Sequence, residues 1–315
     1  MVVSSSPLET GRQLLRPRFI VAVAFVLSLS WIMFAHHEES GLPSFRMPTR
    51  QTRKTVAESL VLHEKIYQKS VKSRNERLVG FRKGESFNAW DGWMPWWWYF
   101  QAAFTCPHEI ERIGSYSDGG KWVCGFSKLE EENEGRKCVV YSLGVFGDSS
   151  FETEVTARTN CEIWAYDASV SQMAGEAANN PRIHFNKVFI GDQDKVDENG
   201  AVWKTLKTIM KENGHEWIDI LKMDIETSEY ASLDAMMNGF EVLPFSQIQI
   251  ELHLVDDKNP ESFRKFLAWF ERLEKFHLRP FWNEFNLVAL LAHNLMTVCE
   301  FSFINLAGDH YLLRD

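Results

Sequence analysis

Apolar positions change their spacing three times along the chain. Residues 19–35 (FIVAVAFVLSLSWIMFA) carry no charge. As a helix this run is about 26 Å long, close to the ~30 Å hydrocarbon core of a bilayer. Arg12, Arg16 and Arg18 precede it, and His36, His37, Glu38 and Glu39 follow. A cationic N-terminal flank stays in the cytoplasm. The pattern therefore predicts a cytoplasmic tail over 1–18, a transmembrane signal anchor over 19–35 and a lumenal body, as in a single-pass type II protein. The alternative is a cleaved signal peptide. The long apolar run argues against it, and so does Met33, which stands where a small residue is wanted before Ala35.

Residues 36–85 read as linker and stem. Gly41, Pro43 and Pro48 break the first part, and Val56, Leu60, Tyr67, Val71 and Leu78 follow at helical spacing. Such a helix either spaces the body from the membrane or packs on it. Next comes an aromatic run, WDGWMPWWWYF at 90–100. It reads as a buried wedge or as an exposed platform for sugars or headgroups. The wedge is favoured, because three consecutive Trp cannot all point one way.

From residue 138 short runs rich in Val, Ile and Phe alternate with longer amphipathic segments. The runs are 138–143, 162–167, 182–190, 218–224 and 247–254. The segments between them begin near Asp148, Ser171, Val202, Ser228 and Pro260. This alternation predicts an α/β domain over 86–315, with a mostly parallel sheet covered by helices on both faces. Two further strands, 278–282 and 298–305, show no clear helix between them and fit an antiparallel pair at one edge.

Composition narrows the function. A net charge of -9 and a pI near 5.6 argue against non-specific nucleic-acid binding, which needs a cationic surface, though they leave room for a local basic patch. The five Cys form no CxxC pair and no zinc-spaced cluster with His.

In an open α/β sheet ligands bind outside the carboxyl ends of the strands. The first strand ends in Ser142-Leu-Gly144-Val-Phe-Gly147-Asp148, a turn whose glycines admit a ligand close to the backbone. Ser142 stands where a nucleotide loop usually has an acid. The second strand ends in Asp167, placed to accept bonds from ribose hydroxyls or to cap the next segment. Asp192, after the third strand, faces an adenine amino group or shapes a turn. Asp224, Glu226 and Glu229 crowd the end of the fourth strand, which is costly unless they meet a cation, a metal or donors. The fifth ends in Glu251-Leu-His253, where alternation puts both side chains on one side. A His beside carboxylates is a candidate general base, or a structural group bonded to Asp256 or Asp257. Asp224, Glu251 and His253 would suit Mg²⁺ or Mn²⁺, yet the sequence requires no metal.

The segment 106–305 resembles the methyltransferase-like domain family related to FkbM-type enzymes. The matching stretches are Arg112-Ile-Gly114 with DGGKWVC, then VVYSLGVFGDSSFE, the strand ending in Asp167, LKMDIETSEY and IQIELH. The resemblance implies a Rossmann-like, seven-stranded class I methyltransferase fold with S-adenosylmethionine as cofactor. Ser142, Gly144 and Gly147 then look like the cofactor loop, Asp167 like the ribose ligand and Asp192 like the residue near adenine. Asp224, Glu226 and His253 look like the catalytic group, with His253 or Glu226 as base and Asp224 in an electrostatic role. Thr227 departs from the family, where Gly commonly follows the second acid. The turn at Asp118-Gly119-Gly120 is expected to close over the site. Cys106 and Cys124 flank it and are placed for a bridge in an oxidising lumen, while Cys138 and Cys161 are expected as buried thiols. The expected reaction is O-methylation of a glycan or small hydroxyl acceptor in the Golgi or endoplasmic reticulum. The rival is a membrane-tethered domain that keeps the fold without the chemistry. A nucleotide-dependent oxidoreductase is disfavoured by the lack of a GxGxxG sequence.

Overall fold

The computed structural model describes residues 54–83, 96–131, 137–254, 259–293 and 296–315. The anchor expected at 19–35 and the first part of the aromatic run, residues 90–95, lie outside them. Among the described residues no helix is long and apolar enough to cross a membrane.

Helix α1 (Val56–Arg77) starts at a capping box in which Thr55 and Glu58 bond each other's backbone. Of the two roles open to the stem, it takes packing on the domain. Tyr67 is buried, and Arg74 is held bidentately by Glu274, at 3.0 and 2.6 Å. Glu64 bonds Arg279 at 2.8 Å, and the Val56 N–H donates to Asp315.

Strands β1 (Ile110–Ile113) and β2 (Lys121–Cys124) form an antiparallel hairpin. The main sheet comprises β3 (Val139–Leu143), β4 (Glu162–Tyr166), β5 (Ile183–Asn186), β9 (Ile218–Met223), β10 (Phe245–His253), β11 (Leu278–Phe285) and β12 (Val298–Asn305). Between β5 and β9 a small sheet holds β6 (Phe189–Ile190), β7 (Lys195–Val196) and β8 (Val202–Lys204). The main order is β11-β12-β10-β9-β3-β4-β5. It is parallel from β10 to β5, and β12 runs antiparallel to β10 and β11. This is the seven-stranded Rossmann-like sheet. The chain moves outward from β3 to β5 and returns at β9, so a crevice opens between the ends of β3 and β9.

The helices that follow are α2 (Ser150–Arg158), α3 (Leu206–Asn213), α4 (Glu229–Gly239), α5 (Pro260–Lys275) and α6 (Leu287–His293). On one face α3, α4 and α5 bury a large core. Helix α5 alone contributes Phe263, Phe266, Leu267, Trp269, Phe270 and Leu273. Full burial of each stabilises the fold by about 1.5–3 kcal/mol. The aromatic run enters here as a wedge: Trp96, Trp97 and Phe100 are buried against Phe263 and Phe266, with Trp98 turned out. On the other face α2 and the hairpin close a second core around Val140, Ile163 and Ile220.

Three local expectations are corrected. The run 182–190 is two strands, β5 and β6, broken where the Val188 N–H turns back to Asn186. The helix expected from Ser171 is one short 3-10 turn (Gly175–Asn179), since Gly175, Asn180 and Pro181 leave too little uninterrupted chain. Conversely, α6 stands between β11 and β12 where no helix was legible. Its LVALLA run is apolar all round and shows no 3.6-residue alternation.

Cys106 is bridged to Cys124, with Cα atoms 5.9 Å apart. Cys138 and Cys161, expected as thiols, form a second bridge at 4.4 Å. They stand together just before the adjacent parallel strands β3 and β4, where the Glu162 N–H donates to Cys138. Cys299 stays a buried thiol.

Candidate functional site

Gly144 sits at the carboxyl end of β3 with φ +78°, and a Cβ there would lie 1.7 Å from the Asp224 carbonyl oxygen. Glycine is required for both reasons. The Gly144 N–H donates to Tyr166 and the Asp224 N–H to Leu143, so the ends of β3, β4 and β9 are tied together.

Beside them opens a cavity of about 270 Å³. Its apolar lining is Tyr166, Val188, Phe189, Ile190 and Trp203, with the Phe189 and Trp203 rings 4.8 Å apart. Its acidic lining is Asp118, Asp148, Asp167, Asp224 and Glu226. Lys222 is the one cation among the described lining residues. Asp118 and Gly119 come from the β1–β2 turn, which closes over the site as its sequence suggested. Gln247 on β10 pins this hairpin by bonding both the N–H and the carbonyl of Cys124.

Asp167 lies at the end of the cavity floor, but its acceptor sites are taken. Oδ2 accepts from the Val145 and Phe146 N–H groups at 3.0 and 2.9 Å, and Oδ1 from the Ser169 N–H and hydroxyl at 2.7 and 2.6 Å. A carboxylate offers about four lone-pair sites, so none is spare. Burial pushes its pKa up, yet bonds from Ser169, Phe146 and Val145 win and hold it below the ordinary range. In this conformation Asp167 organises the loop rather than presenting itself to a ribose.

Asp224 is pushed up to about 7 by burial and then by Glu251, against the pull of Lys121, Lys222 and His253. Glu226 and Thr227 follow it with φ of +52° and +77°. The turn is held by Glu229, which accepts from the Ile225 N–H at 3.0 Å. At Thr227 the chain thus carries a β-branched residue in the left-handed region, a strained choice.

His253 does not line the cavity. Its ring sits among Glu226, Glu229 and Glu251, at 3.5, 3.4 and 3.3 Å. Burial lowers its pKa, but bonds and charge from Glu229 and Glu251 raise it to about 11. An imidazolium at neutral pH cannot accept a proton, which corrects its expected role as base. Asp256 and Asp257, its alternative partners, lie outside the described residues.

Three more expectations are corrected. The Ser142 side chain is fully buried and donates to Glu152 of α2, below the cavity. Gly147 lies in the turn between the lining residues Phe146 and Asp148 without lining the cavity itself. Asp192 is exposed and also off the cavity, since the chain turns away after β6; Phe189, Ile190 and Trp203 form the wall expected of it.

A family model described as a methyltransferase domain matches residues 57–305. The chain belongs to the methyltransferase domain family. The match starts in the first turn of α1, consistent with the packing of that helix. Among curated proteins the chain is similar to probable methyltransferase-like protein 24 of Homo sapiens, 24% identical over 131 residues, 40% of this chain. It is similar to the same-named protein of Rattus norvegicus, 27% identical over 124 residues, 38% of this chain. The matches span about a third of those relatives' length, 35% and 34%. Among solved structures it is similar to a Methanococcus jannaschii fibrillarin pre-rRNA processing protein, at 13% identity and TM-score 0.35, over 55% of this chain and 68% of that one. A second is the precorrin-6y C5,15-methyltransferase of Geobacter metallireducens, at 11% identity and TM-score 0.30, over 57% and 84%.

Two residues that matter to this methyltransferase domain escaped sequence reasoning. The Lys222 ammonium donates to the Gly144 carbonyl at 2.8 Å and lies 3.5 Å from Glu152. Glu152, fully buried, brings to Ser142 the carboxylate that Ser142 itself lacks. A Lys inside an otherwise buried strand was the available signal. Among the described residues two groups also gather ligand atoms within 4.8 Å: Asp224, Glu229 and His253, and Asp118, Glu251 and Glu300. Each has a cation of the protein's own beside it, His253 in the first and Lys121 against Glu300 and Glu251 in the second. Charge neutrality there does not demand a metal.

Proposed function

We propose that the chain is an S-adenosylmethionine-dependent methyltransferase that acts on a hydroxyl acceptor. The observation that carries this is the cavity at the β3/β9 crevice, whose lining combines apolar rings with carboxylates. Such a site fits a ligand with an aromatic ring at one end and cationic groups at the other. Phe189, Ile190 and Trp203 would hold the adenine, Gly144 would admit the chain of the ligand, and Asp118, Asp148 and Asp224 would face its charged end. When bound, S-adenosylmethionine supplies a sulfonium methyl: the S–C bond breaks as the O–C bond forms, and sulfur keeps the electron pair. Asp224 takes the acceptor's proton, since its pKa of about 7 suits a general base at neutral pH. Lys222 steadies the loop by holding the Gly144 carbonyl.

The finer likeness to FkbM-type enzymes is supported by LKMDIE, and Thr227 weighs against it. A lumenal domain on a single N-terminal span is supported by residues 19–35 and their cationic flank, and by two disulfides. A glycan acceptor rests on that location alone. A second reading, a catalytically silent domain, is favoured by one observation: the filled acceptor sites of Asp167.

Calorimetry with S-adenosylmethionine separates the two readings. Micromolar binding, weakened tenfold or more by Trp203→Ala, supports the enzyme. No heat up to millimolar cofactor supports the silent domain.

A further inference from the structure

We propose that a second cavity, between the β1–β2 turn and α6, binds the methyl acceptor, and that this acceptor carries its hydroxyl on an apolar body, aryl or alkyl, rather than on a glycan. The inference rests on the methyltransferase reading and names the substrate class of the same site.

The cavity measures about 450 Å³ and shares Asp118 with the cofactor cavity, so the two meet at one carboxylate. Its walls are mainly carbon: Tyr116, Trp122, Phe285, Leu287, Val288 and Leu291. None of the residues of α6 is buried, and Leu287, Leu291 and Tyr116 are 61%, 80% and 93% exposed. A contiguous apolar surface of this kind at the mouth of a site marks a ligand groove.

Most of the charged groups around it are already paired with one another. Arg112 is held by Glu284, and the Trp122 indole N–H donates to Glu284 at 2.9 Å. Lys121 is paired with Glu300, and the Asn286 amide donates to Asp118 and Glu251. A sugar would bring several hydroxyls to a surface with few partners left for them, and each unpaired one costs desolvation. Trp122 is not free as a stacking platform: it is stacked on Trp282 at 4.1 Å and lies beneath the Arg112 guanidinium. An apolar body satisfies the groove, and a single hydroxyl at its end meets the junction where Asp118 still has acceptor capacity.

The test measures methyl transfer by the full-length chain from labelled S-adenosylmethionine, with cofactor binding followed separately by calorimetry. The acceptors are phenol, 4-ethylphenol, 4-butylphenol and oligosaccharides of galactose and N-acetylglucosamine. The expected result is a kcat/KM that rises roughly tenfold or more from phenol to 4-butylphenol, as methylenes enter the groove. Leu287→Asp with Leu291→Asp should abolish that rise while cofactor affinity and Tm stay put, since both side chains are exposed. Cofactor binding with transfer to the oligosaccharides alone, or a rise that survives the double variant, overturns the proposal. Failure to bind the cofactor overturns the methyltransferase reading instead, and the acceptor role with it.

Discussion

A carboxyl group buried beside another carboxylate keeps its proton to higher pH, and Asp224 does so to about 7. As the base, it must be ionised to act. The acceptor reaction should therefore quicken as pH rises through about 7 and level off above it. Asp224→Asn should flatten this profile and lower kcat by about 10²–10⁴-fold, the usual worth of a positioned base; pH–rate curves for both proteins check it. Ser142 carries a different lesson. Its hydroxyl donates to Glu152, which Lys222 also approaches, so the acid missing from the loop arrives from α2. Ser142→Asp should then destabilise the fold, because two buried carboxylates would share one ammonium. Adding Glu152→Gln should recover most of the loss, and a double-mutant cycle by urea unfolding measures the coupling. Gly144, Asp167, Asp224 and Glu226 were legible as strand-end residues because that position is fixed by the strand pattern itself. Glu152 and Lys222 were not, because their meaning comes from partners on different elements. The protonation of His253 was out of reach for the same reason: carboxylates from two different elements, Glu251 on β10 and Glu229 at the start of α4, set it.

Elements with a clear period were read well, and those without one were not. β3, β4, β9 and β12 lie where runs of Val, Ile and Phe placed them. α6 was missed because its six-residue apolar run, LVALLA, has no polar face to mark its phase. α1 was visible as a helix, but only its partners decide whether it is a spacer or a part of the domain. Those partners are Glu274, Arg279 and Asp315, 200 residues or more away in sequence. The consequence is specific. Arg74 is nearly buried and bonds Glu274 through two nitrogens, with its guanidinium over the rings of Phe100 and Phe270. Arg74→Ala should cost about 3–5 kcal/mol, because it strands the Glu274 carboxylate beneath the helix. Chemical denaturation of the parent and the variant reads this directly. For the same reason a chain begun after α1 should unfold or aggregate, where one begun before Thr55 should fold.

Two disulfides fasten different elements, and their effects should separate. Cys138 and Cys161 precede β3 and β4, at the end of the sheet away from the crevice. Cys106 and Cys124 tie the segment before β1 to the end of β2, and so hold the hairpin that brings Asp118 and Gly119 over the cofactor cavity. Each closes a short loop, spanning 23 and 18 residues, worth about 3 kcal/mol through the unfolded chain. Replacing Cys138 and Cys161 by Ser should therefore lower Tm by several degrees and leave cofactor affinity alone. Replacing Cys106 and Cys124 should lower Tm as well, but also weaken cofactor binding, because the hairpin would then be held chiefly by Gln247 and its own core. Thermal unfolding and calorimetry on both double variants make the comparison. Equal loss of cofactor affinity in the two would mean that the bridges act only through global stability and that the hairpin has no separate hold on the site.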